Sequence, residues 1–256
     1  MKMKRFIYIF SVLFLLSACQ KEAPVSTLEK TVVTYTVQTP VEFELKSTYD
    51  RGQGAAVNAL WYGVYHKKAD GKYVYMSDMS AYVSVTDASK NISVPITLFK
   101  DQEYRIAFIA QHISDEGVYT YILQDDQMVL NPNARITDGE QLDAFGYWEE
   151  TGIIKHDFKK NIELTRPLGQ INIVTTSERR PQTIDVRISS GSDLDVTFSQ
   201  LSCSDAYLAT VYILPPVSGK VNVELTMHYP DGTAGTKSIS DVSVAPNYRT
   251  NITGNI

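Results

Sequence analysis

Side chains suited to catalysis or metal binding are sparse in this chain and form no recognisable motif. The four histidines stand far apart, and no two have the H-x-x-x-H spacing that brings two imidazoles to one metal ion; they are His66, His112, His156 and His228. The sequence also lacks the G-x-S-x-G nucleophile motif, a glycine-rich phosphate loop and a C-x-x-C pair. It therefore predicts no metal, no cofactor and no enzymatic activity.

Two pairs of adjacent carboxylates are candidates for a glycosidase site, because glycoside hydrolysis uses two acids that flank the scissile bond. These pairs are Asp115-Glu116 and Glu149-Glu150. Neighbouring residues on a strand point to opposite faces, and in a loop such acids are usually solvated charges. Neither pair is therefore expected to form a catalytic dyad.

Cys19 has the clearest chemical expectation, because the segment before it has the layout of an export signal. Residues 1–5 are basic, and the apolar run from Phe6 to Leu16 is interrupted only by Ser11. Leu16-Ser17-Ala18-Cys19 resembles the end of a bacterial lipoprotein signal, in which the cysteine is acylated and becomes the first residue. We therefore expect residues 1–18 to be removed and lipid (palmitate) to hold Cys19 in a membrane. The alternatives are an ordinary secretory signal with an accidental cysteine, or a soluble protein with an apolar tail.

Covalent cross-links are not expected within the chain. The only other cysteine is Cys203, which has no partner if Cys19 carries lipid. The simplest interpretation of Cys203 is a small buried residue, with a reactive thiol as the alternative. Stability must then come from burial and hydrogen bonding.

The overall composition is that of a folded, acidic protein. The hydrophobic fraction is 43% and the charged fraction is 21%, values typical of a globular chain. The net charge is −5 and the lysines and arginines are scattered, so the basic face that nucleic acid requires is missing. We therefore expect no nucleic-acid partner.

Apolar and polar residues alternate along most of the chain, which predicts half-buried β-strands. Turn residues at Asp70-Gly71 and Pro230-Asp231-Gly232 predict hairpins, and the alternation weakens only between Gln111 and Lys160. No segment has a convincing helical repeat. Clear alternating sets are Val33, Tyr35 and Val37; Leu60, Tyr62 and Val64; Ile92 to Leu98; Tyr104 to Ala110; and Val221 to Met227.

The length and strand spacing favour an all-β fold with two tandem β-sandwiches. Residues 1–18 form the signal peptide and residues 19–30 a polar tether. We expect an N-terminal sandwich over residues 31–163 and a C-terminal sandwich over residues 164–256, with the boundary near Thr165-Arg166-Pro167.

Tyrosines are concentrated in the first predicted sandwich. Such rings often bind carbohydrate or protein outside the cell. Tyrosine is also an ordinary sheet residue, and packing within the sheet is the favoured interpretation. The residues concerned are Tyr65, Tyr73, Tyr75, Tyr82, Tyr119 and Tyr121.

Several segments, taken in order, resemble fimbrillin-type surface lipoproteins of the Bacteroidetes, including an uncharacterised-domain branch of that fimbrial subunit family. The strongest is Leu164–Asn172, which is similar to the family's L-x-R-P-x-x-Q-I-N entry into its second domain. Further matches are Leu60–Tyr65 with a first strand, Tyr104–Gln111 with Y-x-I-x-F-x-A-Q, Asp143–Tyr147 with a loop before the second domain, and Asn247–Ile252 with the closing N-Y-R-T-N-I.

The resemblance implies two transthyretin-like sandwiches displayed outside the cell. It implies a lipid anchor in the outer membrane, exposed at the cell surface, because Gln20-Lys21-Glu22 resembles the export signal of such lipoproteins. The function that it implies is that of a fimbrial (pilus) subunit, structural or accessory and adhesive, with other subunits or further copies as partners. The alternative is a surface lipoprotein that does not polymerise and binds a glycan or a host protein.

Arg51 is the candidate processing site. It lies in Asp50-Arg51-Gly52-Gln53-Gly54, a glycine-containing loop of the kind that proteases enter. In polymerising fimbrillins, an external Arg-specific protease cuts after an arginine at the end of the first strand. Cleavage between Arg51 and Gly52 would release residues 19–51, and the vacated sheet edge would accept a strand from another subunit.

Two observations weigh against this polymer model. Arg51 is equally well explained as a solvated loop residue. Polymerising relatives commonly continue beyond the N-Y-R-T-N-I segment, so an end at Ile256 favours a tip, accessory or non-polymerising role.

Overall fold

The alternating segments form β-strands throughout the protein. A computed structural model describes residues 28–39, 54–87, 91–124, 127–191, 194–203 and 208–255. Within these ranges the chain consists of strands, turns and one short 3₁₀ helix, and no helix is long and apolar enough to cross a membrane. The predicted all-β class is confirmed.

The first sandwich is formed by strands from Lys30 to Glu163. Because polar and apolar residues alternate along them, most of these strands bury one face and expose the other. The strands are β1 (Lys30–Gln38), β2 (Ala59–Lys67), β3 (Tyr73–Tyr75), β4 (Ala81–Ser84), β5 (Ile92–Phe99), β6 (Tyr104–Gln111), β7 (Tyr121–Gln124), β8 (Gln127–Leu130), β9 (Phe145–Glu150) and β10 (Phe158–Glu163).

Two sheets of the first sandwich enclose its core. One has the order β10-β1-β5, and the other has the order β3-β2-β6-β9, with β4 also paired to β2. Their inward side chains form the first core, which includes Val33, Tyr35, Leu60, Phe108 and Phe145. β7 and β8 pair with each other as a separate hairpin.

The second sandwich is formed by strands from Gly169 to Gly254. Its sheets have the orders β14-β11-β17 and β13-β12-β15-β16, and the pairing of β11 with β17 is parallel. The strands are β11 (Gly169–Thr175), β12 (Thr183–Ser190), β13 (Leu194–Ser202), β14 (Ala209–Ile213), β15 (Lys220–His228), β16 (Ala234–Ser243) and β17 (Arg249–Gly254).

Residues that precede Leu164 complete the core of the second sandwich. Tyr121 and Met128 from the β7–β8 hairpin belong to this second core, and so do Leu142 and Ala144. Leu142 ends the 3₁₀ helix Gly139–Leu142, whose start Asp138 caps by accepting from the Glu140 N–H. The segment with the weakest alternation thus joins the two sandwiches, while the boundary at residue 164 stays a prediction.

The strand after Pro40 that the pattern of Val41, Phe43 and Leu45 predicts lies outside the described residues. The Asp70-Gly71 hairpin is observed, since β2 pairs with β3 and Gly71 has a φ of 81°, a value that glycine adopts without steric cost. No strand is predicted from the sequence between Gln111 and Lys160. The structure, however, has β7, β8, β9 and the first residues of β10 there.

Candidate functional site

The strand that precedes the predicted cleavage loop lies in the middle of its sheet. β1 pairs antiparallel with β5, from Lys30 to Val37, and parallel with β10, from Val33 to Gln38. Sequence reasoning expected a single vacated edge if this strand were removed. The observed order means that removal would leave unpaired backbone on both β5 and β10. We call the space that β1 occupies between these strands the β1 slot.

The inward face of β1 is an integral part of the first core. The side chains of Val33, Tyr35 and Val37 are fully buried. The ring of Tyr35 lies against that of Phe108, with 5.1 Å between the ring centroids. Burying a side chain of this size contributes about 1.5–3 kcal/mol, so the apolar face of β1 stabilises the sandwich by several such increments.

A part-buried polar contact joins β1 to the opposite sheet. The Tyr35 hydroxyl donates to Glu149 Oε1 at 2.9 Å, and the same carboxylate accepts from Tyr147 at 2.8 Å and from Lys160. Burial acts to raise the pKa of Glu149, but these donors outweigh it and the pKa lies below its usual range. Burial and the neighbouring Glu149 raise the pKa of Tyr35, so the phenol remains a donor at neutral pH.

The beginning of β1 is held by more exposed polar contacts. The Val32 N–H donates to Asp157 Oδ1 at 2.9 Å, and the Thr31 hydroxyl donates to the same oxygen. Lys100 pairs with Glu29 at 2.5 Å. Exposed ion pairs contribute only about 0–1 kcal/mol, so the buried face and the backbone ladders hold β1 in place.

A buried ion pair accepts a hydrogen bond from Gly54, which lies three residues after the predicted processing residue Arg51. The Gly54 N–H donates to Asp143 Oδ2 at 3.2 Å, and Arg166 donates to both oxygens of Asp143 at 2.8 and 3.0 Å. Both side chains of the pair are fully buried, and Arg166 also donates to Asn247 Oδ1 at 3.0 Å. Burial raises the pKa of Asp143, and Arg166 opposes that shift.

Three of the segments that carry the family resemblance therefore meet at one point. Asp143 comes from the loop before the second sandwich, Arg166 from the entry segment and Asn247 from the closing segment. Their separation along the chain hid this contact from sequence analysis. The available signal was a polar or charged side chain in each of the three motif segments.

The predicted processing residues are not among those that the structure describes. Cys19, Arg51 and Gly52 all lie outside the described ranges, so lipidation and cleavage stay predictions. Cys203 is half-buried against the second core, and burial raises the pKa of its thiol to about 11. This thiol is therefore protonated at neutral pH.

The histidines contact different neighbours. His66 bonds Gln102 at 2.8 Å, and His228 bonds Asp185 at 2.9 Å. His112 lies 3.1 Å from the Ala56 carbonyl oxygen. In the part of the chain that the structure describes, no cluster of three His, Cys, Asp or Glu side chains is arranged to hold a metal ion.

The carboxylate pairs do not converge. Glu149 faces inward to Tyr35, whereas Glu150 faces outward and pairs with Arg105 at 2.7 Å. Asp115 and Glu116 are exposed in a turn. The opposite directions of Glu149 and Glu150 follow from the two-residue repeat of β9.

Most of the predicted tyrosine cluster is brought together on the outer face of the sheet that contains β2. Tyr65 and Tyr75 lie 5.3 Å apart between centroids, and Tyr82 and Tyr119 lie 6.1 Å apart. Tyr121 differs, because it is buried and donates to the Leu142 carbonyl at 2.8 Å. Sequence analysis missed that both tryptophans of the chain share this face; they are Trp61 and Trp148.

Comparison with protein families identifies the family of this chain. The model of a family of unknown function, DUF6562, matches residues 25–184, which is more than half of the chain. The chain belongs to the DUF6562 family. The DUF6562 match covers the first sandwich and continues to Ile184 in β12. Comparison with curated proteins gives no match.

Solved structures similar to this DUF6562 chain include fimbrial proteins of Bacteroidetes. A fimbrial assembly protein from Parabacteroides distasonis is 11% identical, with a TM-score of 0.44 over 88% of this chain and 90% of that one. The fimbrial anchor protein Mfa2 from Porphyromonas gingivalis is 16% identical, with a TM-score of 0.41 over 82% and 83%.

Two features of this DUF6562 protein are thus candidates for function. The β1 slot is a core position that one strand fills from a segment N-terminal to Arg51. The aromatic outer face of the same sandwich is a surface feature, and it lies on the sheet opposite the slot.

Proposed function

We propose that this protein is a cell-surface fimbrial subunit, structural or accessory and adhesive, that is assembled by strand exchange through the β1 slot. Lipid on Cys19 would hold it in the outer membrane until cleavage between Arg51 and Gly52. The observation that carries the proposal is that β1 fills the middle of its sheet and lies wholly on the N-terminal side of Arg51.

Loss of β1 would create a strong driving force for association. The unpaired N–H and C=O groups of β5 and β10 would be exposed, and the positions of Val33, Tyr35 and Val37 in the first core would be empty. A strand from another subunit with alternating apolar residues would satisfy both requirements at once. This is β-augmentation, in which backbone pairing supplies affinity and alternate side-chain pockets supply specificity.

The motif resemblance supports the same role. The proposal itself rests on the strand order of this chain. Assembly by strand exchange requires no metal, no cofactor and no catalytic group.

The test compares surface-exposed protein from cells that express the natural chain with that from cells that express Arg51→Ala. Mass spectrometry of the natural chain is expected to find a mature N-terminus at Gly52, with a high-mass ladder on unheated gels. The Arg51→Ala chain is expected to keep its lipidated Cys19 and to lose the ladder. Arg180→Ala is the matched control, because Arg180 is an exposed loop arginine in the second sandwich.

The alternative is a surface lipoprotein that never polymerises. It predicts an acylated Cys19 N-terminus in the natural chain and no ladder. That pair of results would overturn assembly by strand exchange. Loss of the ladder in Arg180→Ala as well would show that the effect is not specific to the proposed cleavage site.

A further inference from the structure

We propose that the outer face of the β2–β6–β9 sheet is a carbohydrate-binding site. We call it the aromatic trough. It consists of two adjoining clefts, of about 230 and 310 Å³, that share Tyr65 and Leu123 as lining residues. Together they fall in the size range of small-ligand sites, roughly 300–1,000 Å³.

The floor of the first cleft is a tryptophan ring lying flat on the sheet. A Cβ atom added to Gly63 would lie 2.2 Å from Cη2 of Trp61, so the indole covers this glycine. The Tyr75 ring is stacked beside it, with 24° between the planes and 6.5 Å between centroids. Ring faces presented in this way attract the polarised C–H groups of a pyranose.

The second cleft adds a further ring and hydrogen-bonding groups. The register places Gly63 opposite Ala107 and Ala107 opposite Trp148, so small residues lie between Trp61 and Trp148. Arg105 and Glu150 pair at 2.7 Å along the next row. A charged pair beside an apolar floor can accept from and donate to sugar hydroxyls, while the rings contact the C–H faces.

The backbone of the trough disfavours a peptide ligand. β2 is paired on one side with β3 and β4 and on the other with β6, and β6 is paired with both β2 and β9. The main-chain groups of β2 and β6 beneath the trough are therefore satisfied, and an extended peptide could add itself as a strand only at the outer edge of β9, not on the face of the trough. Recognition must come from rings and polar side chains alone, and a saccharide supplies partners for both.

Charge disfavours nucleic acid, the other ligand that commonly stacks on aromatic rings. Nucleic acid requires a basic groove, whereas the chain carries a net charge of −5 and Arg105, a cation that lines one cleft, is paired with Glu150. The exposure of the rings also favours a ligand, since Trp148 is 57% exposed and Tyr75 is 46% exposed. Large aromatic groups exposed on one face are typical of binding surfaces.

The trough does not depend on the processing of β1. All of its lining residues follow Arg51 in the sequence, and they lie on the sheet opposite the β1 slot or on residues 119–123 beside it. Carbohydrate binding is therefore expected of the chain that starts at Cys19 and of the chain that starts at Gly52. Failure of strand exchange and failure of sugar binding are consequently separate results.

The test uses the mature full-length chain on an array of defined oligosaccharides, followed by titration of the bound sugars. Because Trp61 and Trp148 are the only tryptophans, their fluorescence reports directly on the trough. Sugar binding is expected to change this emission. Tyr75→Ala and Trp148→Ala are each expected to weaken binding at least about tenfold, as loss of a stacked ring would.

Two further variants test whether a loss of binding is specific to the trough. Tyr248→Ala removes a tyrosine of similar exposure, 42%, from the second sandwich and is expected to leave affinity within about twofold. Gly63→Ala keeps every aromatic residue but displaces the Trp61 ring, and it is expected to weaken binding with unchanged circular dichroism.

Array binding that is absent, or that survives in a Tyr75→Ala, Trp148→Ala double variant with an unchanged fold, would overturn the proposal. Mucin-type glycoprotein, with and without periodate oxidation, distinguishes the occupants. Binding that disappears after periodate supports a carbohydrate. Binding that persists after periodate yet is lost in the double variant would instead assign the trough to a protein partner and refute a carbohydrate ligand.

Discussion

At the residue scale, Glu149 links the two sheets of the first sandwich. It accepts from Tyr35 on β1, from Tyr147 on its own strand, and from Lys160 on β10. Its neighbours lie on both sheets, so this carboxylate couples the position of β1 to β9. A hydrogen bond to a charged group contributes about 1.5–3 kcal/mol, more than a neutral pair.

Replacing Tyr35 by Phe is expected to loosen β1 without leaving a cavity. The free energy of unfolding should fall by about 1.5–3 kcal/mol, because one donor to the Glu149 carboxylate is lost. Amide hydrogen exchange should become faster in β1. Tyr147→Phe is the matched control, since it removes a donor to the same carboxylate from β9. Equal protection of β1 in both variants would contradict a role for Tyr35 in holding the strand.

The lowered pKa of Glu149 predicts a dependence of stability on pH. A carboxyl whose pKa is lower in the folded state stabilises the fold above its unfolded pKa of about 4.3, and this contribution is lost as pH falls through the folded value. The melting temperature of Glu149→Gln should therefore change less on acidification than that of the natural chain. If the melting temperatures of the two proteins changed in parallel with pH, the pKa of Glu149 would be the same in the folded and unfolded states, which contradicts the prediction.

At the element scale, both outer strands of the second sandwich's larger sheet carry the same kind of bulge. The pairing register between β12 and β13 shifts at Asp185, and the register between β15 and β16 shifts at Asn222. Gln200 on β13 and Asp241 on β16 each have a φ of 57°. Their N–H groups donate to Asp185 at 2.7 Å and to Asn222 at 3.4 Å. Such bulges twist an edge and discourage pairing with another chain.

A β-branched residue at a bulge position should be costly. Asp241→Val is expected to be less stable than Asp241→Gly by about 1–2 kcal/mol, because the left-handed backbone brings a Cβ close to the following carbonyl. Urea unfolding measures the difference. Ser238→Val, at an exposed ordinary position of β16, should lie within about 0.5 kcal/mol of the natural chain. Equal stability of the two Asp241 variants would show that the bulge relaxes.

At the scale of the whole molecule, the Asp143–Arg166 pair connects distant parts of the chain. Gly54 lies three residues after the predicted processing residue Arg51, and Asn247 belongs to the closing segment; both bond to this pair. Arg166 also lies 4.4 Å from the centroid of the Phe145 ring, which belongs to the first core. The pair thus joins the first sandwich to the last segment of the second.

Removal of Arg166 alone is expected to be severe. Arg166→Ala leaves Asp143 buried without its countercharge, and such a loss costs about 3–5 kcal/mol. The double variant Asp143→Leu, Arg166→Met should recover much of this stability, because apolar residues of similar volume tolerate burial. Thermal unfolding and limited proteolysis between the sandwiches measure both effects. Equal losses in the single and double variants would show that hydrogen bonds to Gly54 and Asn247 matter more than charge.

The sequence by itself determined the β class of this protein and the buried faces of many strands. Alternation has a period of two within a single strand, so Val33, Tyr35 and Val37 indicate their shared inward face without knowledge of any partner. The predictions of an export leader and of processing at Arg51 also rest on local patterns. The strands of the 111–160 region were not predicted because the region is divided between two cores: the β7–β8 hairpin and the 3₁₀ helix pack on the second core, and β9 packs on the first.

Only the tertiary structure decided how these strands and side chains meet. β1 lies beside β10, more than 100 residues away, and this pairing makes it a central strand instead of an edge. The meeting of Asp143 with Arg166 and the covering of Gly63 by Trp61 likewise depend on the completed sheets. Local alternation specifies which face of a strand is buried, whereas the choice of neighbour depends on packing summed over both cores.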